Sequence, residues 1–450
     1  METRKSAGLL GCALLALALL SGCGSSTNTT IPSTTSIFFA HSVIFRNSTT
    51  VMAMGYNGFG QLGNGNLSNQ TVATVVPNLG SMNGFSAGGD HTLAFSFANH
   101  SSVFAWGSNY HGQIGSAVAT TGTGAFSSTP RRIAIHGTQP FATTGGLVSG
   151  VAAGAFHSLA VVDGTVFGWG YNGFGQLGTG KALLSDTTVP APVIVDFGIT
   201  PLNNIQQIAA GGGHSLALSS DGTKVYAWGD NSYGQLGSDP LSSPPPSTGN
   251  FFNQTPTPVS GIIDPDTLLP LKVLQIAASG SNSYALDEKN RVWAWGYNGM
   301  GQLGRNPADT TALAPLPIYS FTPLLVKKAD GTPVVATKIV AGLDHVLALV
   351  NGGPSGTVVA WGFNQLGQLG NNALINSFVP VQVSKDGTAA NLLTGVTDIS
   401  AFGNSSLARV GDLPGAWWGW GDNGFGQLGN PVSTSTIGYL LLPTLVQGYP

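Results

Sequence analysis

An all-β chain folded as a seven-bladed β-propeller of four-stranded antiparallel blades is what the sequence predicts, and three observations carry that expectation. One nonapeptide recurs seven times, as GYNGFGQLG at Gly55 and Gly170, GSNYHGQIG at Gly107, GDNSYGQLG at Gly229, GYNGMGQLG at Gly296, GFNQLGQLG at Gly362 and GDNGFGQLG at Gly421, with spacings of 52, 63, 59, 67, 66 and 59 residues. Such a period signals one supersecondary unit per repeat. A second string accompanies it, as in VAAGAFHSLAV (151–161) and IAAGGGHSLAL (208–218). Finally, 65 glycines and 26 prolines make about one residue in five a turn former, which leaves no room for long helices.

Taken in chain order, Arg4 and Lys5 precede an apolar run from Leu9 to Leu20, and Leu20-Ser21-Gly22-Cys23 follows. That is the layout of a signal peptide ending in a lipoprotein cleavage site. The run has 12 residues, short of the roughly 20 that span a bilayer. Residues 1–22 are therefore expected to be a lipoprotein signal peptide, Cys23 the lipidated residue, 23–36 a Ser/Thr-rich tether and 37–450 the propeller. The expected location is the bacterial cell envelope, with the lipid as the sole membrane contact. Gly24 is not the aspartate that retains some lipoproteins at an inner membrane, which favours the outer membrane of a diderm. Cys12 lies in the removed segment, and a single remaining thiol makes neither an internal disulfide nor a thiolate metal site.

Within each repeat the short apolar string predicts an inner strand, a turn and a second strand. An Asp-Gly hairpin such as Asp163-Gly164 or Asp221-Gly222 then leads into a third strand ending in Trp-Gly. A proline opening a short β run, as at Pro130, Pro192, Pro323, Pro380 and Pro443, predicts an outer edge strand, where the missing N–H costs no ladder bond. Four strands per period make a blade. The chain begins with only the later part of a unit (Ala40 to Phe45, then Val51 to Gly55) and ends with only the early part, at Pro443. The last strand is therefore expected to join the first blade, closing the ring by pairing N- and C-terminal strands and removing an open edge.

Composition bounds the function. With 16 Lys+Arg against 19 Asp+Glu, only 8% of residues are charged, against about 25% in an average soluble domain. No dense basic face exists for nucleic acid. Sparse charge also predicts weak long-range steering and recognition by short-range contact. The glycines of GxGQLG are turn glycines and not a phosphate cradle, because no Lys-Ser/Thr follows them. Catalytic signals are few. Asp287, Glu288, Lys289 and Arg291 read as a solvated turn, and Asp264 and Asp266 flank Pro265 as a possible acid/base or calcium pair. No cofactor and no metal centre is expected.

The paired strings WGxNxxGQLG and AAGxxHSLAL resemble the regulator of chromosome condensation repeat, over roughly residues 37–450. The resemblance implies a seven-bladed propeller that acts by protein contact through loops on one face. Two binding proteins share this repeat: an exchange factor for a nuclear GTPase, and a secreted bacterial inhibitor of class A β-lactamases. The motif tryptophans are Trp106, Trp169, Trp228, Trp295, Trp361 and Trp420, with Met54 in the first unit. The motif histidines are His41, His91, His157, His214 and His345, with Asn282 and Ser405 elsewhere, and both sets are expected to be structural. Long loops follow several nonapeptides, at residues 116–129, 238–255 and 305–322.

Two positions inside the nonapeptide vary freely while the flanking glycines and asparagine fix the turn. They supply the candidate partner-binding residues Tyr56, Phe59, Tyr171, Phe174, Tyr233, Tyr297, Phe363 and Phe425. By the resemblance these form an aromatic ring at one propeller mouth; Tyr56, Tyr171 and Tyr297 are expected in solvent, while Phe59, Phe174 and Phe425 have an alternative place between blades. The resulting expectation is a monomeric, non-catalytic binding scaffold for another macromolecule, foremost a protein. The alternatives are glycan recognition, an enzyme with loop carboxylates at the axial mouth, and guanine-nucleotide exchange. A protein binder would show a broad apolar patch on the loop face, a glycan binder coplanar aromatics along a groove, and an enzyme clustered carboxylates with shifted pKa.

Overall fold

The structure, a computed structural model, describes residues 40–47, 50–97, 102–115, 125–133, 146–180, 186–195, 200–238, 251–305, 318–412, 415–431 and 438–449. All lie in the larger of two compact units, residues 38–450. The predicted signal peptide, Cys23 and the tether fall outside the described residues, as do most of the three long loops.

Seven antiparallel sheets follow one another along the chain, and seven hydrophobic clusters each fill one gap between neighbouring sheets, so the blades form a closed propeller. Blades 2 to 7 (residues 84–132, 148–192, 205–258, 273–325, 338–382 and 396–445) have four strands in sequence order. Blade 1 (41–75) has three described strands, His41–Phe45, Val51–Gly55 and Gln70–Val75. In blade 4 the strands are Ile205–Ala210, His214–Ser219, Val225–Asp230 and Phe252–Pro258, and the other blades repeat this plan. Second strands such as His157–Val162 are buried at every residue, because a blade faces on both sides lie against neighbours. Each second strand begins, and each third strand ends, at the same edge of the ring, as His214 opposite Gly229 illustrates. We call this the upper face; the Asp-Gly hairpins lie on the lower face.

Two sequence expectations are corrected. The last strand, Tyr439–Leu445, pairs with Ala416–Asp422 of its own blade and not with blade 1. The ring closes instead by packing: Ile44, Met52 and Met54 share a cluster with Leu407, Trp417 and Val446, and residues past the last strand reach across, with Ala73 N–H donating to Gln447 O at 3.1 Å and Tyr449 O–H to Arg46 O at 2.7 Å. The outer strands also begin before the motif prolines; Pro130, Pro323 and Pro443 lie inside Phe126–Arg132, Tyr319–Leu325 and Tyr439–Leu445. A register shift in the adjoining strand, as between Ala105 and Gly107, lets the edge accommodate a residue with no N–H.

The repeat motif is the joint between blades. Inside each nonapeptide the asparagine Oδ1 accepts the N–H five residues on (Leu177 to Asn172, 3.1 Å), and the glutamine Oε1 accepts the N–H two residues back (Phe174 to Gln176, 2.9 Å). These bonds fix the turn so that the glutamine carbonyl points into the next blade. There Gln176 O accepts Trp228 Nε1–H at 2.8 Å and Ser215 O–H at 2.9 Å, while Ser215 Oγ also meets His157 Nε2 at 3.0 Å. The same histidine–hydroxyl–carbonyl–indole set joins blades 1/2, 2/3, 4/5 and 6/7. Four of the five imidazoles, those of His91, His157, His214 and His345, have a glycine three residues earlier that makes room for the ring: a Cβ on Gly211 would lie 2.2 Å from His214 Cε1.

Departures from the motif come as sets. In blade 5 Asn282 replaces the histidine, Ser279 the glycine, and Val346 the hydroxyl that would meet it in blade 6; Tyr284 O–H occupies Gln302 O at 3.3 Å in its stead. At the 7/1 joint Ser405 replaces the histidine, Phe402 the glycine and Met54 the tryptophan, and the buried Ser42 hydroxyl makes no bond. An apolar or amide substitute tolerates loss of the partner, whereas a lone buried imidazole does not.

Two outcomes are expected. Gly211→Ala destabilises by about 1–3 kcal/mol through overpacking against His214, and the cost falls below about 1 kcal/mol in a His214→Asn, Ser283→Val background that copies the 5/6 joint; denaturant midpoints of the four variants test this. Burial lowers the pKa of His41, His157, His214 and His345 to about 3, with neighbouring imidazoles adding to the effect at His41 and His157. A folded pKa below the unfolded value means that unfolding takes up protons, so stability falls as pH drops below about 6.5. The His214→Asn, Ser283→Val protein should lose stability less steeply between pH 6 and 4, by about 1.4 kcal/mol per pH unit, in unfolding curves taken across that range.

Candidate functional site

The upper face is built from the nonapeptides, the turns before each second strand, and the connections to the outer strands. All eight candidate residues lie there, and all are half-buried. The variable positions meet across joints: the first of one blade packs edge-on to the second of the blade before it. Tyr56 meets Phe425 at 5.0 Å between centroids, Tyr171 meets His111 at 4.8 Å, and Tyr297 meets Tyr233 at 5.0 Å, each at 61° between planes. Tyr56, Tyr171 and Tyr297 are thus less exposed than expected, because each ring lies over its own nonapeptide glycine and against its neighbour. Phe59 and Phe174 pack edge-on to Tyr56 and Tyr171, at 6.1 and 6.2 Å.

Sequence reasoning missed the fullest cluster, between blades 2 and 3. His111 touches Tyr110, Phe156 and Tyr171 with centroids 5.1, 5.5 and 4.8 Å away, and its Nδ1 lies 2.8 Å from Asp186 Oδ2. The other Asp186 oxygen accepts Asn172 N–H at 3.1 Å. That residue stands just before the outer strand, where Asn69 and Asn376 accept the N–H of Asn57 and Asn364. Asp186 thus keeps the turn bond and adds a carboxylate. Aligning the repeats on the residue before the outer strand would have found it.

Also unforeseen are large apolar side chains exposed on the connections between third and outer strands: Leu67, Tyr110, Phe126, Phe251, Tyr319 and Ile375, the last 79% exposed. They belong to blades 1, 2, 4, 5 and 6, on the same face as the aromatic pairs.

Carboxylates on this face serve the turns. Gln113, Gln235 and Gln302 donate side-chain N–H to Asp90, Asp230 and Asp344 at 2.8–3.0 Å. Burial raises the pKa of Asp230 and Asp344, and pushes Asp422 up to about 6 against the opposing bonds from Gly424 N–H and Gln427. Among the described residues no three His, Cys, Asp or Glu side chains are placed to hold a metal ion.

The lower-face charge run is not the solvated turn expected. Asp287 and Arg291 are buried, Arg291 Nε and Trp293 Nε1 donate to Asp287 Oδ2 at 2.8 and 2.9 Å, and Lys289 pairs with Asp264. Lys289 beside Asp264 holds its carboxyl below the usual range, so Asp264 belongs to an ion-pair network with Lys289 and Arg291, while Asp266 donates its backbone N–H to Asp264 Oδ1 at 3.1 Å.

Motif, blade count and inter-blade joint together decide the family, and residues 34–329 match the RCC1-like domain, with residues 355–408 matching the regulator of chromosome condensation (RCC1) repeat. The chain belongs to the RCC1-like domain family. It is 32% identical over 333 residues, 72% of its length, to the human probable E3 ubiquitin-protein ligase HERC6, but covers only 27% of that protein. It is 26% identical over 347 residues to the Arabidopsis thaliana ultraviolet-B receptor UVR8, covering 76% of this chain and 68% of the receptor. The solved structure of yeast RCC1 (Prp20) bound to Kap60 superposes with a TM-score of 0.69 at 20% identity, over 94% of this chain and 90% of that one. Human WBSCR16 gives 0.67 at 22%, over 88% and 94%. These two show the RCC1-like fold alone.

One consequence concerns Asp422. Its raised folded pKa means the native state disfavours the ionised form, so the penalty is present above about pH 6 and disappears as pH falls toward 4. Asp422→Asn is expected to stabilise the protein by up to about 3 kcal/mol at pH 7.5, with no gain at pH 4, in paired denaturation curves.

Proposed function

We propose that this RCC1-like protein is a non-catalytic binding scaffold, anchored in the cell envelope through Cys23, that recognises another protein through the upper face of its propeller. The observation that carries the reading is the set of inter-blade aromatic pairs held edge-on by the nonapeptide turns, with exposed apolar side chains on the same face in five blades. Exposed apolar side chains also lie on the lower-face connections, as at Leu268, Leu269 and Val335, so it is the rigid aromatic pairs repeated at three joints that single out the upper face as a protein contact. Half-buried Tyr and Phe held by a rigid turn supply contact area with little entropy to lose. Yeast RCC1, whose fold this chain shares, has been solved bound to another protein, Kap60. Anchoring rests on the N-terminal sequence.

The same geometry speaks against the rivals. The aromatic pairs stand at 61° and not in one plane, which suits interdigitating side chains better than a sugar ring laid along a groove. Four upper-face carboxylates, Asp90, Asp230, Asp344 and Asp422, are tied to nonapeptide glutamines and divided among blades, and Asp186 is held by His111 and the N–H of Asn172, so no two carboxylates form an acid/base pair.

Crosslinking in intact cells, with a photoreactive residue at position 171 and a control at Phe97 on the lower face, tests the reading. One recurrent protein adduct at 171 alone is expected. Replacing Tyr56, Tyr171 and Tyr297 by Ser should then weaken binding of the purified partner roughly 100-fold. Unchanged affinity, or equal capture from both faces, would sink it.

A further inference from the structure

We infer that the segment docked on the upper face is basic: a Lys- or Arg-bearing stretch of the partner protein, with one cationic side chain seated at Asp186 among Tyr110, His111, Phe156 and Tyr171. The inference rests on the proposed protein-binding role of this face and adds the chemistry of what it binds.

Its foundation is how the fold sorts a small number of charges. Of the Lys and Arg residues described, Arg305 alone belongs to an upper-face turn or connection; the rest lie on lower-face hairpins and connections or on the strands leading to them. The same upper-face elements carry five carboxylates, Asp90, Asp186, Asp230, Asp344 and Asp422. On the lower face, by contrast, cations stand beside three of the acids: Lys289 and Arg291 at Asp264, Arg291 at Asp287, and Lys338 and Arg409 at Asp398. Five carboxylates against one cation, Arg305, among the described residues of this face give it a net negative potential toward an approaching partner.

The five acids differ in what they offer. Asp90 and Asp422 are buried and bound to turn donors, so they contribute field and not contact. Asp186 is one-third exposed at the side chain, and its carboxylate stands where other blades have the neutral amides of Asn69 and Asn376. Around it Tyr110 is itself exposed, and four rings meet at steep angles, 76° between Tyr110 and His111 and 86° between Phe156 and Tyr171. A carboxylate flanked by differently oriented aromatic rings suits a guanidinium or ammonium, by charge and by cation–π attraction. The apolar side chains around the site fit the stems of Lys and Arg and the residues between them.

The test uses the full chain and three labelled peptides of equal length, alternating Tyr with Arg, with Ser or with Glu, in fluorescence anisotropy. Expected is binding of the Arg peptide at least tenfold tighter than the other two, weakening as salt is raised, and falling about tenfold in Asp186→Asn but not in the lower-face control Asp330→Asn. Equal binding of the three peptides, or an Asp186→Asn protein that binds as well as the parent, overturns the inference. Capture of a protein at position 171 with no preference for the Arg peptide removes the basic segment and leaves the protein-binding reading intact; absence of both removes the two together.

Discussion

Everything in this propeller depends on one acceptor, the main-chain carbonyl of the nonapeptide glutamine. A blade cannot bury both of its faces alone, so each must be fixed to the next in a defined register. The carbonyl does this by receiving the indole N–H at six of the seven joints and, at five, a Ser or Thr hydroxyl from the following blade. The glutamine side chain and the asparagine four residues before it hold the turn that aims it. A last glycine leaves room beneath the indole: a Cβ on Gly178, whose φ is 64°, would lie 2.7 Å from Trp228 Nε1. The conserved letters of the repeat are thus parts of one joint, and the histidine is its second layer, bonded to the hydroxyl that the carbonyl has already oriented.

That constraint explains where recognition can reside. Within each nonapeptide the second, fourth and fifth positions are free of the joint, and they lie on the upper face together with the connections that vary in length. A rigid ring with such a rim changes its binding chemistry without altering any residue that holds the blades together. The exposed Phe126, Phe251 and Tyr319 lie at or beside the first residue of an outer strand, where side chains are set by the strand yet contribute little to the inter-blade core.

Blade number, strand order and the structural role of the tryptophans and histidines were legible because the joint repeats in sequence. What the sequence concealed is what no repeat encodes. The charge run at Asp287–Arg291 reads as solvated by composition, but the hairpin folds it onto Asp264 from a distant connection, so its charges are matched in place of being hydrated. Asp186 lies in a variable stretch, and its pairing with His111 crosses from blade 3 to blade 2. Low overall charge also suggested that electrostatics would not guide binding. An average over the chain cannot reveal that, among the described residues, every cation but Arg305 lies away from the upper face.

The 7/1 joint shows how far the closing interaction can be relaxed. It has no indole, no imidazole and an unbonded Ser42 hydroxyl, and its hydrophobic cluster is built around Met54, whose thioether fills the space that a tryptophan occupies elsewhere. The lost bonds are replaced from outside the motif. Trp417 Nε1–H donates to Phe45 O at 3.1 Å, Tyr449 O–H donates to Arg46 O, and Ala73 N–H donates to Gln447 O. In a closed ring each blade is held by two neighbours, so a joint can depart from the motif provided that the others keep the ends in place. Closure by such long-range bonds, with no strand exchanged between blades among the described residues, means that the seam is held by side chains and a few residues beyond the last strand. Its stability therefore leans on the five joints that keep the full set of histidine, hydroxyl, carbonyl and indole.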